Sequence, residues 1–180
     1  SFILNDNPLS LLETEGAQDV AIELNSLSKT FNIAGWRVGM VVGKGEIIKS
    51  ILQVKSNMDS GMYLGIQKGA IEALYSTKEW FKELNKIYFK RRKILWEIFD
   101  ILDLYYNKES TGLFVWAKLP KGRSDIEFTD QLLKEKDIFI TPGSIFGKNG
   151  KEYVRASLCV SEADLSTVLK RLKGQNNKNE

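Results

Sequence analysis

The chain has 180 residues, of which 43% are hydrophobic and 11% aromatic, so it can bury a substantial core. Its 26 basic and 23 acidic residues leave a formal net charge of +3, which is too balanced to indicate a nucleic-acid-binding surface. Because the chain has no histidine and a single cysteine, Ser-His-Asp and Cys-His catalysis, an intramolecular disulfide and most zinc sites are excluded. Acid–base chemistry near neutral pH must then come from lysine, carboxylates, tyrosine or a cofactor.

The first part of the chain is predicted to alternate short strands with helices. Apolar runs bounded by turn residues indicate the strands, and apolar residues at helical spacing indicate the helices. The predicted elements are a strand end at residues 2–4, a turn at 5–8, strands at 20–24 and 36–42, and helices at about 46–57 and 63–75. The end of the strand at 20–24 suits a binding site, because ligands collect at the carboxyl ends of strands in open α/β sheets.

The second part begins with a predicted capping box, in which the Ser76 hydroxyl accepts a hydrogen bond from the Glu79 amide. It opens a long helix that reaches about residue 103 and carries an apolar stripe, which we interpret as a core face. The basic run at 90–93 is predicted to form a solvated face of this helix. The elements predicted beyond it are strands at 112–119, 138–140 and 153–160, a capped helix from 124 to about 136, a helix starting at 161 and a fraying tail from 174.

Residues 25–43 carry the most reactive group of side chains. Ser26, Ser28, Lys29 and Arg37 place two hydroxyls, an amine and a guanidinium between two apolar runs. The hydroxyls and the guanidinium could hold a phosphate, and a nearby cation could lower the pKa of the lysine amine and make it reactive. Alternatively, the lysine is a solvated loop residue and the serines are turn residues. Spacing alone leaves both interpretations open.

The same segment resembles a known motif. Residues 26–39, SLSKTFNIAGWRVG, match the pattern S-x-S-K followed by G-W-R-x-G. This pattern is similar to the lysine motif of the class I/II aminotransferases, which are pyridoxal-phosphate-dependent enzymes of fold type I. The similarity extends over nearly the full chain and includes PGSIFG at residues 142–147 and YVRAS at residues 153–157.

The resemblance implies an α/β fold, with the chain as the C-terminal part of a fold-type I transferase. Residues 1–75 are expected to form the tail of the large cofactor-binding domain and its sheet. Residues 76–180 are expected to form a small α/β domain that begins with a long connecting helix. Because family members carry further cofactor contacts upstream, the chain alone is expected to bind the cofactor weakly and not to turn over. It is also expected to expose apolar surface that favours association.

The resemblance also implies roles for four residues. Lys29 is expected to form the covalent imine with pyridoxal 5'-phosphate and to move the proton at the α-carbon of the amino acid. Ser26 and Arg37 match residues that hold the cofactor phosphate, and Arg155 matches the arginine that binds the substrate α-carboxylate. Without the resemblance, Arg155 would be interpreted as an exposed charge on a strand. The implied reaction transfers an amino group between an amino acid and a 2-oxo acid.

Two other functions remain open at this point. One is a pyridoxal-phosphate-dependent carbon–sulfur lyase on the same fold, and the other is a non-catalytic aminotransferase-like effector domain of a transcription regulator. In aspartate-specific members of the family, an arginine for the second carboxylate comes from the segment that corresponds to residues 57–62. This segment contains no arginine here, which counts against a dicarboxylate pocket of that design, and it resembles the branch with alanine and LL-diaminopimelate aminotransferases.

The expected partners are the small-molecule substrates and a second subunit in a homodimer. No nucleic-acid or metal partner is predicted. No membrane partner is predicted either, since no apolar run approaches the ~20 residues that span a bilayer. The single cysteine, Cys159, is interpreted as a small buried hydrophobe, and a lone cysteine fits a reducing, cytoplasmic location.

Overall fold

The computed structural model describes residues 9–174, so the strand end predicted at 2–4, the turn at 5–8 and most of the tail lie outside the described residues. The chain divides into two compact units, Ser1–Lys82 and Glu83–Glu180, which are described separately. The division falls inside a long helix. The boundary between functional domains that we predicted between residues 75 and 76 stays a prediction. No helix in the described part of the chain combines the length and the apolar character needed to cross a membrane.

Two antiparallel strands form the sheet of the first unit, β1 (Ile22–Ser26) and β2 (Gly39–Gly43). Both strands begin later than predicted. A short helix, α1 (Ala17–Val20), occupies the residues before β1. A 3-10 turn at Ala34–Trp36 precedes β2, and Arg37 has a left-handed backbone with φ of 52°, which an extended strand cannot include.

Helices surround these strands along the chain. A short helix, α2 (Leu27–Thr30), follows β1 directly, and the two longer helices are α3 (Gly45–Met58) and α4 (Leu64–Leu74), which confirms the two predicted from helical spacing. The buried cluster of this unit consists of Leu27, Val38 and Ala70, with Phe31, Ile33 and Ile66 packed against it. No residue of α3 is buried, so the first unit does expose apolar side chains, such as that of Leu52.

The longest helix of the described chain, α5 (Lys78–Ile101), begins one residue later than the predicted capping box requires. Its capping hydroxyl belongs to Thr77, whose Oγ1 accepts a hydrogen bond from the Trp80 amide at 3.3 Å. The predicted cap by Ser76 is therefore wrong. The predicted core face is confirmed toward the C-terminal end of the helix, where Leu95, Ile98 and Phe99 are buried.

The basic run at 90–93 is not a uniformly solvated face, and this prediction is also wrong. The Arg92 side chain has no exposed surface. Its Nη1 donates to the carbonyl oxygen of Ser110, and its Nη2 donates to that of Gly112 at 2.6 Å. Burial lowers the pKa of Arg92. Arginine tolerates this position because its aliphatic stem packs in the core while its guanidinium satisfies backbone carbonyls.

The second unit contains a four-stranded antiparallel sheet in the order β3-β4-β6-β5. Its strands are β3 (Tyr105–Tyr106), β4 (Phe114–Lys118), β5 (Thr141–Pro142) and β6 (Tyr153–Ser157). Val115, Ala117 and Val154 are buried on one face, as strand alternation requires. The predicted strands at 112–119 and 153–160 are confirmed with shorter ends.

The strand predicted at residues 138–140 is wrong. The chain leaves the preceding helix through Asp137, which has a left-handed backbone with φ of 53°. Ile138 and Ile140 then bury their side chains, which explains the apolar run, but no strand of the described chain pairs with them. Pairing begins only at β5, where Thr141 lies opposite Arg155.

Two capped helices complete the second unit, α6 (Asp125–Lys136) and α7 (Glu162–Leu172). The predicted cap of α6 is confirmed, because the Ser124 Oγ accepts a hydrogen bond from the Glu127 amide at 3.4 Å. The interpretation of Cys159 as a buried residue is wrong. Since β6 ends before it, strand alternation no longer decides which way this side chain points, and it is exposed.

Candidate functional site

The first unit has a cavity of about 380 Å³ where β1 ends and β2 begins. The strand register places Ser26, the last residue of β1, opposite Gly39, the first residue of β2. A Cβ on Gly39 would lie 2.9 Å from the Asn25 carbonyl oxygen, so glycine is needed for the two backbones to approach. The polar side chains that line the cavity are those of Asn25, Ser26, Ser28 and Arg37.

The two serines have different local roles. The Ser26 Oγ caps α2 by accepting a hydrogen bond from the Ser28 amide at 3.3 Å, which leaves its own proton free for donation. The Ser28 side chain is 6% exposed, and its hydroxyl has no hydrogen-bond partner within residues 9–82. The amide of Leu27 donates to the Val38 carbonyl at 3.1 Å and holds the start of α2 against the second strand. Two hydroxyls are therefore available at one wall of the cavity.

The Arg37 guanidinium lies at the same cavity. Its Nη1 donates to the Ala34 carbonyl oxygen at 2.9 Å, and its backbone is left-handed, with φ of 52° and ψ of 46°. A residue with a Cβ seldom adopts this conformation, so the surrounding turn holds the arginine in place. The remaining N–H groups of the guanidinium can bind an anion.

Lys29 lies on α2, next to Ser28 along the chain, and its side chain is exposed. It does not line the cavity. Its amine makes no ion pair or hydrogen bond within residues 9–82, so no neighbouring group competes for it. The structure thus brings Ser26, Ser28 and Arg37 to one cavity and leaves the predicted reactive lysine beside them on the same short helix.

The fourth predicted site residue, Arg155, belongs to the second unit and lies half-buried on β6, opposite Trp116 of β4. Its Cζ is 4.2 Å from the centre of the Phe114 ring and 4.0 Å from the centre of the Phe146 ring. The sequence reasoning missed both phenylalanines. Strand alternation could have placed Phe114 on the face of Arg155, because these two positions belong to paired strands. No local pattern could have found Phe146, which reaches Arg155 from a separate turn.

That turn is a 3-10 helix, Gly143–Phe146, and a buried carboxylate holds it. The Asp125 Oδ2 accepts a hydrogen bond from the Ser144 amide at 2.8 Å. Burial alone would raise the pKa of Asp125, but the hydrogen bonds to its carboxylate, chiefly from Ser144, outweigh burial and lower this pKa. Gly143 also contacts Gly150 so closely that a Cβ on either residue would collide with the backbone of the other.

The fold and the site agree with a match to a known family. Residues 4–172 match the family described as Aminotransferase class I and II. The chain therefore belongs to this family, and the predicted fold class, the C-terminal part of a fold-type I transferase, is confirmed.

Similar curated proteins include two LL-diaminopimelate aminotransferases. The enzyme from Maridesulfovibrio salexigens is 41% identical over 165 residues, which make up 92% of this chain and 42% of that protein. The enzyme from Halothermothrix orenii is 40% identical over 93% of this chain and 43% of its own length. The chain thus spans less than half the length of these relatives.

Solved structures with a similar fold also match nearly all of this chain, and the match covers less than half of each of those chains. Substrate-bound BacF from Bacillus subtilis has a TM-score of 0.84 and 35% identity, and the match covers 97% of this chain and 45% of that one. An aminotransferase from Staphylococcus aureus has a TM-score of 0.81 and 33% identity, with 96% of this chain and 46% of that chain covered.

Enzymes of this family use pyridoxal 5'-phosphate, which combines a phosphate with an aldehyde. The polar side chains at the cavity of the first unit include two hydroxyls and a guanidinium, which can bind phosphate, together with the Asn25 amide. The unpaired amine of Lys29 has the chemistry to bond covalently to an aldehyde. The residues present therefore fit the cofactor.

Proposed function

We propose that the protein containing this chain is a pyridoxal-phosphate-dependent aminotransferase, which moves an amino group between an amino acid and a 2-oxo acid. The observation that carries the proposal is the convergence of two serine hydroxyls and Arg37 at one cavity, beside the free amine of Lys29, in a chain of this family. Because the chain spans less than half of its relatives, the activity is proposed for the whole protein.

Ser26 and Arg37 would hold the cofactor phosphate. The hydroxyl can donate one hydrogen bond, and the guanidinium can donate two parallel hydrogen bonds to phosphate oxygens. Both are anchored by contacts of their own, Ser26 through its cap on α2 and Arg37 through its bond to Ala34. A group that is already held in place loses little conformational freedom when the anion binds.

Lys29 would hold the cofactor covalently through Nζ and then move a proton at the α-carbon of the substrate. The bound cofactor supplies an electron sink for the bond that is broken. This chain contributes no histidine to the proton transfer, since it contains none. The exposed position of Lys29 on α2 gives its long side chain freedom to serve in both roles.

Arg155 would bind the α-carboxylate of the amino acid. Its guanidinium is half-buried between two aromatic rings, so its N–H edge is the part left for a ligand. A paired carboxylate at such a site is partly desolvated, and its loss commonly costs about 2–5 kcal/mol of binding energy.

The curated relatives point to a candidate substrate. Because two of them are named LL-diaminopimelate aminotransferases, we propose a diamino dicarboxylic acid of this kind as the amino donor. We also propose that the protein is a cytoplasmic homodimer. The exposed apolar side chains of the first unit, which include Leu52 and Met58 on α3, support coverage by the rest of the protein or by a second subunit.

The test uses the whole protein and two matched variants, Lys29→Ala and Lys49→Ala, both at exposed lysines. Reduction with borohydride followed by peptide mass spectrometry should find the cofactor on the peptide with Lys29. Lys29→Ala should lose this adduct and almost all transamination of LL-diaminopimelate, whereas Lys49→Ala should keep both. Normal turnover by Lys29→Ala would refute the proposal.

The products distinguish the remaining alternatives. A new amino acid formed from the added 2-oxo acid supports transfer, whereas pyruvate and ammonia released without an acceptor would indicate a lyase. An adduct at Lys29 with no turnover of any amino acid would indicate a non-catalytic effector domain. Sedimentation of the whole protein tests the homodimer.

A further inference from the structure

We propose that Phe114 and Phe146 are positioning residues for the substrate carboxylate, because they hold the Arg155 guanidinium between their ring faces and leave its N–H groups free. This inference rests on the proposed role of Arg155 as the carboxylate-binding residue. It adds Phe114 and Phe146 to the proposed carboxylate-binding site. It also explains why these residues are aromatic, since aromatic rings orient this cation without neutralising it.

The guanidinium carbon lies over both rings. The Arg155 Cζ lies 4.2 Å from one ring centre and 4.0 Å from the other, well within the ~6 Å range of cation–π attraction. Arg155 makes no hydrogen bond or ion pair with another side chain among residues 83–174. Within this unit, the two rings are therefore the contacts that we infer to orient the guanidinium.

The choice of rings has a chemical consequence. A neighbouring carboxylate would also orient an arginine, but it would occupy the N–H edge and compete with an incoming carboxylate. A ring face attracts the cation through its quadrupole and has no lone pairs that could accept the in-plane N–H groups. The full positive charge and the paired donors of Arg155 thus stay available for a ligand.

The two rings are themselves held in place. Phe146 packs edge-on against Trp116, with ring centres 5.4 Å apart and an angle of 70° between the planes. The turn that carries Phe146 is pinned by the hydrogen bond from the Ser144 amide to Asp125. Phe114 belongs to β4 and lies opposite Ser157 in the sheet. One ring comes from the sheet and the other from a pinned turn, so neither ring depends on Arg155 for its location.

The test uses the whole protein loaded with its cofactor and the variants Phe114→Leu and Phe146→Leu. Leucine keeps apolar bulk and removes the ring face. We measure the KM and kcat for the amino acid, and the calorimetric Kd for heptanedioate, a dicarboxylate without an amino group. Each variant should raise both KM and Kd by roughly 3- to 20-fold, with kcat within about twofold, because the contact acts on binding.

Two controls separate positioning from a structural role. Phe114→Tyr and Phe146→Tyr keep the ring face and should retain the KM and Kd of the parent protein. Phe89→Leu removes a ring of the same exposure, 37% as for Phe114, from α5 and should leave both constants unchanged. Thermal unfolding of every variant identifies any global loss of fold.

The outcomes distinguish this inference from the function on which it rests. If Arg155→Ala raises KM and Kd but both leucine variants match the parent, the positioning role is wrong and the role of Arg155 stands. If Arg155→Ala changes neither constant, the role of Arg155 is wrong and the inference falls with it. Equal losses in the leucine and tyrosine variants would also overturn the inference, because the ring face would then be irrelevant.

Discussion

The two units of the chain bury very different amounts of apolar side chain. Among the described residues, four hydrophobic residues are buried in the first unit and sixteen in the second, although the units are similar in length. No residue of α3 is buried, whereas α5 buries several side chains toward its C-terminal end. The first unit therefore has a small core and much exposed apolar surface, and the second has a larger core.

The residues proposed to bind the cofactor and the residue proposed to bind the substrate belong to different units. Ser26, Lys29 and Arg37 belong to the unit with the small core, and Arg155 belongs to the unit with the large one. Because the chain spans less than half the length of its relatives, the sparse packing of the first unit agrees with a domain that is completed by other residues. Arg155, for which we propose substrate binding, in contrast contacts two aromatic rings within its own unit.

The comparison is tested most strongly by separating the units. We expect residues 78–180, which keep α5 whole, to unfold in one cooperative thermal transition with a near-ultraviolet circular dichroism signal. Residues 1–77 should show no such transition, since a chain of this size rarely gains more than about 3–5 kcal/mol even from a complete core. A cooperative transition of the first fragment alone would contradict the contrast between the units.

A matched pair of leucines tests the same contrast within the whole chain. Leu158 has no exposed surface, whereas Leu52 on α3 is 60% exposed. Leu158→Ala should lower the free energy of unfolding by about 2–5 kcal/mol, because it leaves a cavity in the core. Leu52→Ala should change it by no more than about 0.5 kcal/mol. Denaturant titration measures both values, and equal losses would show that the two units are packed alike.

The next largest effect on the free energy of unfolding is expected at Arg92, the buried arginine of the second unit. Arg92→Met keeps the length of the side chain but leaves the carbonyls of Ser110 and Gly112 without their donor. We expect a loss of about 2–3 kcal/mol in the free energy of unfolding, because hydrogen bonds from a charged donor to buried acceptors are lost. Lys90→Met, at an exposed position of the same run, is the control and should have little effect.

The smallest effect concerns Asp125 and depends on pH. Its pKa is lowered in the folded state, so its contribution to stability is complete above the unfolded pKa of about 3.9 and is lost as the pH falls through the folded pKa. Asp125→Asn should cost about 1–2 kcal/mol at pH 7 and should flatten the loss of stability below about pH 4. Urea titrations from pH 7 to pH 2 test this, with the exposed Asp130→Asn as control. An unchanged acid dependence would exclude the carboxylate as its source.

Local signals in the sequence predicted most of the helices and one of their caps. Helical spacing indicated α3, α4 and α5, and Ser124, the predicted cap of α6, accepts the hydrogen bond that a cap requires. These features depend on residues within a turn or two along the chain, which is why the sequence alone can reveal them. The motif at residues 26–39 indicated the family in the same way, and the match over residues 4–172 confirms it.

Contacts between distant parts of the chain decided the remainder. The apolar run at residues 138–140 indicates a strand, yet a strand also needs a pairing partner, and none lies beside it in the described chain. The charged run at 90–93 suggests solvent, yet carbonyls about 20 residues away make burial of Arg92 possible. Neither the missing partner nor the distant carbonyls can be inferred from local spacing.

The sequence by itself indicated the family, because the motif at residues 26–39 depends on residue type within one short segment, and the family match confirms it. Through the same resemblance it predicted Lys29 and Arg155 as site residues, and their roles stay predictions. Only the tertiary structure decided how Arg155 is held. Phe114 comes from a neighbouring strand and Phe146 from a turn pinned by Asp125, and folding alone brings both ring centres to 4.2 and 4.0 Å from the Arg155 Cζ. Residue types can be read from a sequence, but the relative placement of side chains far apart in the chain is set by packing.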